Sequence, residues 1–165
     1  MPKLPNWENV VVPQRNRETG CIPTCFEWLI RYLKIQDIDL KTFQEDFDFG
    51  SNNSFLSVGE KIMSRYPFIK IKTQDYEKGF EKIIALKKLI ENRTPCLISF
   101  AKGGNQGWHA MPVVYVNDQG IRMIEYANEN ENETSFLLIQ DIIWRHDYLQ
   151  GGKEIAWIET LSDES

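Results

Sequence analysis

At 165 residues, 42% hydrophobic and 26% charged, the chain has the size and composition of one globular domain spanning 1–165, able to bury about 70% of its unfolded surface. A formal charge of −5 and a pI near 5.1 speak against a nucleic-acid partner, which would call for clustered Lys and Arg. Three cysteines, no signal-like start and no apolar run near the roughly 20 residues of a membrane helix lead us to expect a reduced, cytoplasmic protein with no membrane partner.

Residues 1–13 read as a proline-punctuated arm in which Val10, Val11 and Val12 form a short strand. Ile22, Phe26, Leu29, Ile30 and Leu33 then recur at helical spacing, opposite Thr24, Glu27, Arg31 and Lys34, and predict a half-buried helix. Pro23 has no N–H and is tolerated only in a first turn, so Cys21 falls at the helix N-terminus. Asp37 or Asp39 caps a short helix running to Phe47, 50–54 is a loop, 56–65 a third helix, and 68–73 an alternating strand. Residues 79–92 read as another helix. An apolar strand buried on both faces follows at 95–101, then a mobile glycine-rich loop at 103–107, and a strand at 108–116. The turn 117–120 and the strand 121–126 complete a hairpin. Residues 128–133 form an acidic loop, 138–146 a short helix and 154–158 a last strand. Helices first and antiparallel strands afterwards make an α+β fold, with a helical half packed on a sheet and a cleft between them.

A cysteine at a helix N-terminus meets unpaired amides and the positive end of the dipole, which lower thiol pKa values to roughly 3.5–7.5. The alternative is a buried, inert cysteine. Nucleophilic chemistry needs a base near the sulfur, a group orienting that base, and oxyanion donors. Cys21 and Gln14 come from the helical half; His109, with Glu125 or Asn128, comes from the sheet half.

The stretch Gly20-Cys21-Ile22-Pro23-Thr24-Cys25 resembles the Asp-Cys-Gly-Pro-Ala-Cys signature of the bacteriocin-processing, double-glycine-leader peptidases, a branch of the papain-like cysteine peptidases. Gln14 matches the oxyanion glutamine of that family, Thr94 to Ile98 its apolar strand, Gly107-Trp108-His109 its catalytic histidine, and 142–158 its final helix and strand. The resemblance implies a papain-like fold, no cofactor, a peptide or protein substrate, Cys21 as nucleophile, His109 as base, and Glu125 as orienting acid. Ile22, Gly20 and Glu125-Tyr126 depart from the family pattern, and Asn128 is the alternative to Glu125, as the asparagine of papain-like enzymes. The same groups would serve an amide-transfer enzyme of transglutaminase or acyltransferase type, and a silent binding module could keep the fold without the chemistry.

Cys25 rivals Cys21, since Thr24-x-x-Glu27 is a capping box that would start the helix a turn later; a packed Cys25 is the expected outcome. Cys21, Cys25, His109 and His146 make a weak zinc signature, and His146 is expected on the solvated surface. Trp108 is a candidate for substrate contact, along with Met111 and Trp7, and the acidic loop would favour basic substrates. Hairpin register decides the orienting group: a two-residue turn puts Asn128 opposite His109, whereas a three-residue loop closed by Gly120 brings Glu125 to the face of His109, which is the expectation.

Overall fold

The computed structural model describes residues 3–102 and 107–159; the glycine-rich loop at 103–106 lies outside them. Helix α1 (Cys21–Tyr32) starts where Pro23 requires, with Gly20 as N-cap. Its apolar stripe of Ile22, Phe26, Leu29 and Ile30 is fully buried. The Thr24–Glu27 capping box does not form. The Thr24 hydroxyl instead donates back to Gly20 O at 2.6 Å, and Glu27 is buried between Arg31 and Gln44. Helix α2 (Phe43–Asp46) is a single turn, shorter than expected, because Asp39 spends its cap on the Lys41 amide. Helix α3 (Phe55–Arg65) is capped reciprocally by Ser54 and Ser57.

Strand β1 (Ile71–Asp75) begins later than the alternation suggested. Helix α4 (Gly79–Glu91), β2 (Cys96–Ala101), β3 (Trp108–Val116) and β4 (Gly120–Ala127) follow the expected order. Strand β5 (Asn132–Leu138) corrects the acidic-loop reading in part. Its polar start concealed Thr134, Ser135 and Phe136, which pair with β4. Helix α5 (Ile139–Tyr148) and β6 (Glu154–Ile158) close the described chain. Val10 to Val12 form no strand; the arm joins the sheet earlier, through Leu4 N to Val114 O at 2.9 Å.

The six strands form one antiparallel sheet in the order β1-β6-β2-β3-β4-β5. Along β3, Ala110 and Pro112 face α1, whereas His109 and Met111 face α5, as the two-residue period of a strand demands. The sheet is thus covered on both faces, with α4 and α5 packed together. That accounts for the fully buried β2. His146 is buried rather than solvated: it shares the inward face of α5 with Ile142, and its Nε2 lies 2.7 Å from Tyr76 O.

Candidate active site

The hairpin closes with a two-residue turn, Asp118-Gln119, in which Asn117 N donates to Gly120 O and Asn117 Oδ1 accepts from both Gln119 N and Gly120 N. The three-residue loop is therefore not formed. Two bulges undo its consequence. Val114 is an extra residue on β3, so pairing shifts from Tyr115–Arg122 to Val113–Met123, and that one-residue slip turns Glu125 to the face of His109. Glu125 is itself the extra residue between the Ile124–Thr134 and Tyr126–Glu133 pairs. Beyond Val113 and Met123 the β3–β4 ladder stops, and the two strands fork.

The fork is filled by the side chains expected to act. The Cys21 sulfur lies close enough to the amide of Ala110, the residue after His109, and to the amides of Ile22 and Cys21 at the start of α1, for each to favour its anion. The His109 imidazole lies near the Glu125 main chain, which favours its protonated form, and meets the Phe100 ring edge-on, with centroids 6.2 Å apart. Among the described residues, the Glu125 carboxylate makes no hydrogen bond to it.

Two cavities share Glu125 as a wall. The first, about 20 Å³, is bounded by Gln14, Cys21, Trp28, Ala110, Glu125 and Tyr126, and has room for about one water molecule. The second, about 270 Å³, lies beside His109. Sulfur and imidazole open into different cavities, and among the described residues no hydrogen bond joins them. Burial raises the Cys21 thiol, outweighing the helix amides and the Lys102 cation, so the expected low-pKa thiolate is not found. Burial, and then Lys102, push His109 down to about 4, with the Glu125 main chain acting in the other direction. The resting pair is a neutral thiol and a neutral imidazole.

Gln14 borders the Cys21 cavity and spends one amide hydrogen on Asn16 O at 2.9 Å. Asn128 does not reach His109: its Oδ1 accepts from Asn130 N and Glu131 N in the β4–β5 turn. Trp108 packs against Gly151 and lines neither cavity. Cys25 is a packed core residue, as expected, and burial holds its thiol well up. Among the described residues no three His, Cys, Asp or Glu side chains are placed to hold a metal ion, and no helix is long and apolar enough to cross a membrane.

Three residues near the site escaped the sequence. Gln44, buried in α2, accepts from Arg15 N, lies 2.9 Å from Thr24 Oγ1, and donates to Pro13 O and Glu27, tying the segment before Cys21 to α1. Arg17 stacks on Tyr126. Lys102 acts on both Cys21 and His109. Position was the available signal: Arg17 lies between Gln14 and Cys21, and Lys102 directly follows the strand that precedes the histidine loop. Nothing in the sequence singled out Gln44.

No protein-family model and no curated protein matches the chain. A crystal structure described as a "putative C39-like peptidase from Bacillus anthracis" superposes with a TM-score of 0.63 at 12% identity, over 96% of this chain and 98% of that one. At that identity the likeness concerns the fold, an α+β arrangement of the kind expected.

Proposed function

We propose that the protein is a cysteine peptidase. The observation that carries the reading is the fork between β3 and β4, where the Cys21 sulfur meets the main chain one residue from His109 at the start of a helix. In the reaction, His109 takes the thiol proton as the sulfur attacks a peptide carbonyl, forming a C–S bond. The tetrahedral oxyanion is met by the Cys21 amide and the Gln14 side chain. On collapse the C–N bond breaks, His109 returns the proton to the leaving amine, and water then hydrolyses the thioester. Glu125 orients the imidazole through its main chain, which leaves its carboxylate free for another duty.

A non-catalytic module on the same fold is the second reading. The separate cavities of sulfur and imidazole favour it. Incubation with a complex peptide mixture, followed by mass spectrometry of new termini, separates the two. The peptidase reading expects termini that vanish in Cys21→Ala and His109→Ala; a digest indistinguishable from Cys21→Ala supports the silent module.

A further inference from the structure

The cavity beside His109 has a built chemistry of its own. Its floor is apolar, from Phe100, Met111 and Leu137, and its rim carries Lys102 and Arg145 against the single acid Glu125. Arg145 is partly committed: its Nη1 donates to Ala101 O and Lys102 O at 2.8 Å each, and its Nε lies 3.3 Å from Asp141 Oδ1. Lys102 forms no ion pair among the described residues. An apolar floor with one available ammonium at its edge suits a ligand that is apolar at one end and anionic at the other.

We infer that this cavity is a leaving-group subsite for a C-terminal apolar residue, whose free α-carboxylate pairs with Lys102. The inference rests on the peptidase reading for the direction of the substrate. The group that protonates the leaving amine is His109, so the leaving residue lies on the His109 side of the scissile bond, and this is the cavity that His109 lines. About 270 Å³ accommodates a residue of leucine or phenylalanine size. The pairing has a further consequence. Burial first, and the Lys102 charge second, keep His109 from taking a proton, so a bound carboxylate that neutralises Lys102 makes His109 a better base when the fitting substrate is present.

The test reads binding, not turnover. N-acetyl-leucine and N-acetyl-leucinamide are titrated into the isotopically labelled full chain while the His109 ring resonances are followed by NMR. The acid should bind at least tenfold more tightly than the amide and raise the pH midpoint of His109; the amide should leave that midpoint alone. Lys102→Gln should reduce the acid's advantage to under twofold with amide binding unchanged, and Lys102→Arg should restore it. Equal affinities, no binding of either probe, or an advantage that survives Lys102→Gln each overturn the inference. Selective binding by a protein that cleaves nothing would leave the subsite standing and remove the peptidase reading; cleavage of amidated peptides with no acid preference would do the reverse.

Discussion

The Arg17 guanidinium lies over the Tyr126 ring, 4.6 Å from its centroid, and joins the segment before α1 to strand β4. Gln14 and Tyr126 both border the Cys21 cavity, so this contact links two of its walls. A cavity of about 20 Å³ cannot admit a peptide, and parting those two walls is one way to open it. Arg17→Ala should therefore raise the rate of Cys21 alkylation by iodoacetamide several-fold. The melting temperature should move by no more than a few degrees, since an exposed contact contributes little to stability. Mass mapping after brief labelling reads the rate, and an unchanged Cys21 signal would mean that the contact holds nothing shut.

The pH dependence of that same labelling distinguishes a neutral pair from an ion pair. Burial raises the Cys21 thiol above its ordinary value of 9.0, and His109 at about 4 is uncharged over the neutral range. The alkylation rate of the ligand-free protein should keep rising through pH 9. A plateau below pH 7 would indicate a thiolate–imidazolium pair and a rearranged site.

His109 also predicts an acid limb of stability. Its folded pKa of about 4 is below the 6.5 of the unfolded chain, so between those values the unfolded state binds more protons and stability falls as pH falls. The full effect is at most about 3.5 kcal/mol, from roughly 1.4 kcal/mol per pKa unit. His146 is shifted in the same direction by burial and adds to the limb. Urea unfolding of the wild type and His109→Asn at pH 7 and pH 4 isolates the His109 share, which should disappear from the variant. Parallel losses in both proteins would remove His109 from the account.

Gln14→Ala should lower turnover on any substrate found by about 10²–10³, the usual cost of one oxyanion donor, with folding untouched because the side chain makes only a local bond to Asn16. A rate within twofold of wild type would reduce Gln14 to a lining residue.

What the sequence made legible followed from local rules. Pro23 and the apolar stripe located α1 and put Cys21 at its start, and the short apolar runs around Cys96 and Met111 located the buried strands. What stayed hidden depended on distant partners. The Val114 bulge occurs where the Leu4 amide claims the Val114 carbonyl, and no local pattern in β3 announces a partner more than a hundred residues away. Glu125 reached the face of His109 by that bulge, although the turn itself was misread. The thiol's shift escaped for a related reason: helix position is written in the sequence, whereas the depth of burial that opposes it is set by the closed fork.

Lys82 supplies the last prediction. It is fully buried on α4, donates to the Ser99 and Gly152 carbonyls, and has no carboxylate bonded to it. Burial first, and Lys153 second, bring its pKa down to about 7, with Glu154 opposing. A lysine depressed from 10.5 to about 7 is protonated in the unfolded chain but not in the folded one between those values. Stability should thus rise with pH across that window, and the penalty should be complete below about pH 7. In Lys82→Met two buried carbonyls lose their donor, a cost of about 1–3 kcal/mol at any pH, while the charging penalty, of order 4–5 kcal/mol at its limit, is removed. Compared with wild type by urea unfolding, the variant should be less stable at pH 10.5 and equal or more stable at pH 6. A difference between the two proteins that is the same at both pH values would show that Lys82 stays charged in the folded state.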